Sequence, residues 1–280
     1  MHKNNIHNNK YDLEKLSVIN PLLKDSIFTN QYGNLTIDFA KPKAVKNLNY
    51  ALLKKHYNIN FWAFSDDNLC PPIPSRVDYI HYLADLIPNT KKVTVLDIGT
   101  GATCIYPLLG NAIYNWYFIG TDIDDKSIKN AQKIVSKNNL SDKIQFRLQT
   151  DGNNILNGIV NPQDKFTVSM CNPPFYKSKE DAIKANNRKQ KNLKINSTTR
   201  NFSGTANELW YKGGEKAFLH NYLYQSSQYK GQFEWFTSLV SKKELIKSMK
   251  KSLTKLNVKQ FKIIEMKQGN KISHIIAWQF

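Results

Sequence analysis

The chain is expected to fold as an α/β protein around a seven-stranded, mostly parallel sheet that ends in an antiparallel hairpin, with a helical region ahead of it. Three observations carry this expectation. From Lys92 onward, apolar runs of strand length alternate with helical patterns, the signature of a parallel sheet covered by helices on both faces. The last two runs, Val258–Lys267 and Lys271–Phe280, are joined by Gly269-Asn270, a dipeptide suited to a tight hairpin turn. Before Pro88 the texture differs, with polar loops separating short amphipathic helices.

Taken in order, a first helix is expected over Leu13–Leu23. A second over Pro42–Tyr57 has Val45, Leu48, Leu52 and Leu53 on one face, and a third over Arg76–Ile87 has Val77, Ile80, Leu83 and Ile87 at helical spacing. Strands follow at Val93–Ile98, Trp116–Gly120, Ile144–Leu148, Phe166–Cys171 and Phe233–Val240, with helices near Thr103–Ile113, Asp125–Asn138 and Gly214–Tyr229. This divides the chain into a mainly helical RNA-binding or accessory region, 1–88, and a sheet domain, 89–280, that includes a basic loop, 176–213.

At 280 residues and 41% hydrophobic content the chain can bury a large core. Forty basic residues oppose 22 acidic ones, a net charge of +18, which favours a polyanionic partner over a small neutral substrate. Three cysteines, Cys70, Cys104 and Cys171, lack metal-ligand spacing and make no even disulfide framework. They are expected as reduced thiols in a cytoplasmic protein, with no metal site. The polar stretch from Met1 to Lys10 has no apolar segment resembling a signal peptide, and no run has the length of a membrane span.

The first strand runs into Asp97-Ile98-Gly99-Thr100-Gly101. Two glycines there let the chain turn sharply and a ligand approach the backbone. A dinucleotide fingerprint needs a third glycine, where this chain has Cys104. The shorter motif suits S-adenosyl-L-methionine, which carries no phosphate. Asp122, 21 residues after Gly101 at the end of the next strand, stands where a carboxylate can accept both hydroxyl protons of a ribose. Asp124 is the better N-cap for the helix that follows. The turn Gln149–Asn153 after the third strand is expected to flank the cofactor's adenine, with Asp151 or the backbone reading its amino group.

Asn172-Pro173-Pro174-Phe175 closes the apolar run Phe166–Cys171. The lone pair of an exocyclic amine is delocalised into its ring, so a site that methylates it must accept hydrogen bonds from its N–H groups. The Asn172 side-chain oxygen and a prolyl carbonyl can do so. Phe175 can stack on the same planar base, and the two prolines hold the acceptors in place before it arrives. The pattern points to methyl transfer onto N6 of adenine.

The segments Leu69–Arg76, Asp78–His81, Asp97–Ala102 and Cys171–Phe175 resemble the bacterial RlmF family, which methylates N6 of an adenine in 23S ribosomal RNA. The match extends through Arg188-Lys189, Asn192-Leu193, Asn201-Phe202, Glu208–Trp210, Gly213–Glu215 and Trp235–Lys242. The resemblance implies a class I, Rossmann-like, S-adenosylmethionine-dependent methyltransferase fold. It also implies that Arg76 lies near the methionine end of the cofactor, Gly99 and Gly101 in the cofactor loop, Asp122 at the ribose, and Asn172 and Phe175 at the substrate adenine. Where the family often has a Gly-Gly pair this chain has Ser203-Gly204, and where it has a basic Pro-Arg N-terminus this chain has His2–Asn5.

Between Tyr176 and Arg200, eight basic residues face two acids. Lys177, Lys179, Arg188, Lys189, Lys191, Lys194 and Arg200 are the expected phosphate contacts of a loop that starts at the catalytic turn and helps trap an extruded base. Trp210, Tyr211 and Trp235 can stack on bases, but aromatics at this density more often fill a core, and they are expected there. The expected partner is 23S RNA or a large-subunit assembly intermediate, bound by a monomer. Competing readings are methylation of another RNA or of DNA, a protein-glutamine methyltransferase, and a basic RNA-binding assembly factor on an inactive fold.

Overall fold

The computed structural model describes residues 1–87, 92–178, 180–181, 183–184, 209–268 and 271–280. The expected division at residue 88 and the hairpin tip Gly269-Asn270 lie outside them. A seven-stranded sheet forms the centre of the molecule. Its strands are β3 (Thr94–Ile98), β4 (Tyr117–Asp122), β5 (Ile144–Leu148), β6 (Phe166–Cys171), β7 (Phe233–Val240), β8 (Gln260–Gln268) and β9 (Lys271–Gln279), in the order β5-β4-β3-β6-β7-β9-β8. The five strands from β5 to β7 are parallel, and β9 runs antiparallel to both of its neighbours. β6 is buried at all six positions, as a central parallel strand covered on both faces must be.

Alternation along each strand sorts the core into two layers. Val95, Val168 and Met170 face one side with α3 (Ile73–Leu86), α4 (Ile105–Tyr114) and α5 (Asp125–Lys137). Leu96, Phe236 and Trp278 face the other with α6 (Gly214–Ser226) and α7 (Lys243–Lys255). A third, smaller cluster joins α1 (Leu13–Ile19) to α2 (Pro42–Tyr57) through Leu16, Leu23, Leu48 and Leu52. α3 therefore packs as part of the main core.

Three elements differ from the sequence reading. The helix expected over Leu13–Leu23 stops at Ile19, and a 3₁₀ segment, Pro21–Ser26, follows; Pro21 has no N–H with which to continue α1. A small hairpin, β1 (Ile27–Thr29) with β2 (Leu35–Ile37), was not foreseen, nor was α7. The hairpin's strands are three residues long and largely exposed, too short to show a period. α7 buries Ile246, Met249 and Leu253 at helical spacing, a face obscured in the sequence by surrounding lysines.

The α3–α4–β4 contact is tight at Gly110. A Cβ there would collide with the Phe118 ring, 2.7 Å from Cε2, and would lie 3.3 Å from Ile80. Helix propensity favours Ala over Gly by roughly 1 kcal/mol, whereas overpacking costs about 1–3 kcal/mol. Gly110→Ala is expected to lower the urea midpoint with an unchanged m-value; an equal or higher midpoint would show that the Phe118 ring repacks freely.

Candidate active site

Neighbouring strands β3 and β6 lead their chains in opposite directions across the sheet, so a crevice opens beyond their carboxyl ends. Ile98 of β3 pairs with Cys171 of β6, which brings the glycine loop and the Asn172 turn to the same edge. The cleft encloses about 1060 Å³ of space including its open mouth.

The loop after β3 is built for close approach. Gly99 and Gly101 have φ of 73° and 65°, left-handed values that disfavour a side chain. Their amides are engaged: Gly99 and Thr100 N–H donate to the Thr121 carbonyl at 2.9 and 2.8 Å, and Gly101 N–H donates to Asp122 Oδ2 at 2.9 Å. Asp122 Oδ1 accepts the Asp124 N–H at 3.0 Å. The carboxylate is thus fixed on the cleft wall by backbone donors. Burial raises its pKa, with the backbone donors pulling the other way. Asp124 accepts the Ser127 N–H and caps α5.

Arg76 reaches the cleft from α3, its guanidinium 5.4 Å from the centre of the Tyr106 ring. Among the described residues it makes no ion pair. Asp97 lies beneath the loop at 1% exposure, and neither of its carboxylate oxygens has a hydrogen-bond partner. Burial pushes its pKa up to about 7, with the neighbouring Thr100 hydroxyl and the Arg76 charge opposing the rise and Asp122 adding to it. The Thr100 hydroxyl faces Asp97 and the Tyr106 hydroxyl faces Arg76, but among the described residues none of these contacts has full hydrogen-bond geometry. Buried polar atoms normally have well-formed partners, so this loosely coupled set is shaped for a polar ligand.

The Asn172 turn forms the opposite wall. Asn172 and Pro174 line the cleft, Pro173 is buried behind them, and Phe175 stands on the rim at 44% exposure. The Asn172 side chain has no hydrogen-bond partner among the described residues. Its strand is held from below. Thr237 Oγ1 donates to the Ser169 carbonyl at 2.8 Å, so the 2.7 Å contact with Tyr79 is one in which Tyr79 donates. The Tyr79 oxygen in turn accepts the Cys171 N–H at 3.4 Å. α3, which carries Arg76, is thereby joined to the residue preceding Asn172.

Beyond Phe175 the chain is stapled to a returning segment. Phe175 and Tyr176 N–H both donate to the Leu209 carbonyl, at 3.1 and 3.0 Å, and Tyr211 N–H donates to the Tyr176 carbonyl at 3.0 Å. The staple sets Trp210 and Tyr211 on the cleft wall, where the sequence reading had expected core aromatics. Tyr106 was missed as well; only the fold brings it beside Arg76. Trp235 is a core residue at 4% exposure. Asp151 does not line the cleft: its carboxylate accepts from the Asn153 N–H at 2.9 Å and the Asn154 side chain at 2.8 Å, closing a turn. Gln149 and Gly152 of the same turn line that corner, together with Asn154 and Ile155. Lys177 is exposed and packs on Gly214; Lys179, Arg188, Lys189, Lys191, Lys194 and Arg200 lie outside the described residues.

A sheet of this order, with a glycine loop after its first parallel strand, an acid after the second and an amide turn after the fourth, is that of a class I S-adenosylmethionine-dependent methyltransferase. The model of the RNA methyltransferase family matches residues 1–280. A relative named Ribosomal RNA large subunit methyltransferase F from Pseudoalteromonas translucida is 49% identical over all of this chain and 93% of its own length. One of the same name from Bacteroides fragilis is 46% identical over all of this chain and 98% of its own. Among solved structures, the catalytic domain of human METTL16 in complex with MAT2A 3′UTR hairpin 1 superposes with a TM-score of 0.84 at 29% identity, covering 100% of this chain and 95% of that one. The N-terminal domain of human METTL16 in complex with SAH superposes at 0.80 and 29%, covering 100% and 98%. The chain belongs to the RNA methyltransferase family.

Asp97 makes the ligand-free protein sensitive to pH. Its folded pKa, about 7, lies above the ordinary carboxylate value of about 3.9, so between these values the folded state holds a proton that the unfolded state has lost. The contribution therefore falls as pH rises from about 4 to about 7, by up to about 1.4 kcal/mol per unit, and is constant above. Urea unfolding of Asp97→Asn is expected to lack this slope; an identical pH dependence in both proteins would contradict the assignment.

Proposed function

We propose that this enzyme transfers a methyl group from S-adenosyl-L-methionine to N6 of a specific adenine in large-subunit (23S) ribosomal RNA. The observation that carries the reading is the single cleft that unites Arg76 and Asp122 on one wall with Asn172 and Pro174 on the other, with Asp97 buried beneath its glycine loop. Arg76 pairs with the cofactor's carboxylate through charge-assisted hydrogen bonds. Asp97, unpartnered and ionisable near pH 7, accepts from its ammonium group. Asp122 takes the ribose hydroxyls on its carboxylate, and the glycine loop leaves room for the backbone to lie against the ligand. The support is the match between these orphaned groups and a zwitterionic amino acid joined to a nucleoside.

Bound there, the cofactor supplies an electrophilic methyl carbon on a sulfonium. Asn172 Oδ1 and the Pro173 carbonyl accept the two N6–H bonds, turning the nitrogen lone pair out of the ring plane and toward that carbon. Phe175 stacks on the base. As the C–N bond formed, the electrons of the S–CH3 bond would pass to sulfur, which would leave as the neutral thioether, and the positive charge would move to N6, where the two oxygens stabilise it more strongly than they do the neutral amine. The proton then leaves to water, with no strong base required. Residues 1–88 form the accessory region and 89–280 the methyltransferase domain, with α3 shared between them: it packs in the core of the sheet and carries Arg76. Lys177, Lys179, Arg188, Lys189, Lys191, Lys194 and Arg200 hold RNA phosphates. The enzyme works in the cytoplasm as a monomer on 23S RNA or an assembling large subunit; among the described residues no helix is long and apolar enough to cross a membrane.

Asn172→Ala is expected to reduce methyl transfer by at least about 10²-fold, the scale of a lost transition-state hydrogen bond, while cofactor affinity by calorimetry stays within about twofold. Near-normal turnover would refute the acceptor role; lost cofactor binding would move Asn172 to the donor half of the site.

A further inference from the structure

The net charge of +18 is not evenly spread. Residues 1–88 hold ten basic and eight acidic side chains, and 89–175 hold nine and seven. Residues 176–213 hold nine against three, and 214–280 twelve against four. A general lysine enrichment would raise all four segments alike. The imbalance is confined to the loop after the catalytic turn and to the C-terminal quarter, where its densest part is α7.

α7 buries Ile246, Met249 and Leu253 against the sheet and exposes Lys243, Lys247, Lys250, Lys251 and Lys255. At 100° per residue these five occupy one continuous arc, and Lys243, Lys247, Lys251 and Lys255 stand in a single i,i+4 row. Like charges in that relation destabilise a helix. Among the described residues none of the five is in an ion pair; Lys250 alone has a ring partner, Phe261, at 6.0 Å. On α5, by contrast, Lys129 pairs with Asp125 at 2.6 Å and Lys133 lies over Phe61 at 5.9 Å. Glu244 shares the exposed face and Glu265 lies in the field of Lys243, so the row keeps a net excess of positive charge that these two acids answer only in part.

The row is also continuous with the cleft. Lys177, two residues past Phe175, packs on Gly214. The neighbouring Glu215 is buried at 5% exposure and accepts the Ser241 N–H at 2.6 Å and the Ser241 hydroxyl. Lys242 and α7 begin at the next residue. A cationic track thus leaves the rim at Lys177, crosses the start of α6 and descends along α7. From Lys243 to Lys255 it spans about 18 Å at about 1.5 Å per residue, roughly five nucleotide steps at about 3.4 Å each.

We propose that the exposed lysine row of α7 is a second RNA-binding surface, holding the phosphate backbone of the duplex that flanks the acceptor adenine while the adenine occupies the cleft. The proposal rests on the RNA reading of the cleft and adds the element that positions the stem. Duplex is favoured over single strand because the surface offers charge at regular spacing on a rigid helix, whereas single strands are held by stacked aromatics, and Phe261 alone adjoins the row.

The test uses the full-length enzyme, the triple variant Lys247→Gln, Lys251→Gln, Lys255→Gln, and a control of equal charge change on α5, Lys129→Gln, Lys133→Gln, Lys137→Gln. All six positions are exposed. Two RNA probes share one adenine-containing loop, with and without a ten-base-pair stem, and affinity is measured against salt. The α7 variant is expected to bind the stem-bearing RNA at least about tenfold more weakly at low salt, with a log–log salt slope smaller by about 2–3, at about 0.9 per phosphate contact. Its affinity for the stemless RNA and for cofactor stays unchanged. Unchanged binding of the stem-bearing RNA would overturn the proposal and leave an acidic protein as the occupant, and an equal loss in the α5 control would overturn it in favour of total charge. If the unmodified enzyme binds the stem-bearing RNA but methylates neither probe, the acceptor assignment fails, and the α7 surface still stands or falls on affinity alone.

Discussion

The parallel pairing of β3 with β6 is the constraint on which the site depends. Its register sets Ile98 beside Cys171, so the chain emerging from each strand enters the same crevice. One brings a loop whose backbone can lie against a ligand, and the other brings an amide between a buried proline and an exposed ring. Neither half is a site alone: the glycine loop is a tight turn with its amides already engaged, and the Asn172 turn is a rigid bend with an unused amide.

Polar groups held in low dielectric keep the halves aligned. A chain of hydrogen bonds in a fixed direction starts at the Cys171 N–H, which precedes the catalytic turn, and runs through the Tyr79 and Thr237 hydroxyls to the Ser169 carbonyl. The Tyr79 hydroxyl sits in a fully buried environment that raises its pKa far above the usual phenol range, so it remains a neutral donor at any physiological pH. The orphaned Asp97, Thr100 and Tyr106 atoms are left open by the same core. Satisfied groups therefore set the geometry, while unsatisfied ones await a ligand.

Much of this was legible in the sequence because the relevant residues are local. β5, β6, β7 and α2 have the bounds read from their periodicity, and the glycine loop, Asp122 and the Asn172 turn announce themselves by chemistry at strand ends. What was hidden depends on long-range placement. Trp210 and Tyr211 reach the cleft only through the Leu209 staple, and aromatics in an apolar stretch look like core. Gln149 stands on the cleft while Asp151 closes its own turn, a choice between near neighbours that no spacing rule decides. α7 was obscured because its lysines outnumber the apolar residues that define its buried face, and those lysines leave the surface with charge that the nearby acids answer only in part.

The central claim is that the cleft joins a methyl donor to an adenine of large-subunit RNA. Nucleoside mass spectrometry of 23S RNA from cells lacking this protein, before and after incubation with purified enzyme and S-adenosylmethionine, tests it most directly. The account predicts a gain of about one N6-methyladenine per RNA, since one specific adenine occupies the clamp. No gain on that RNA, with methyl groups appearing on DNA or on protein glutamine instead, would contradict it.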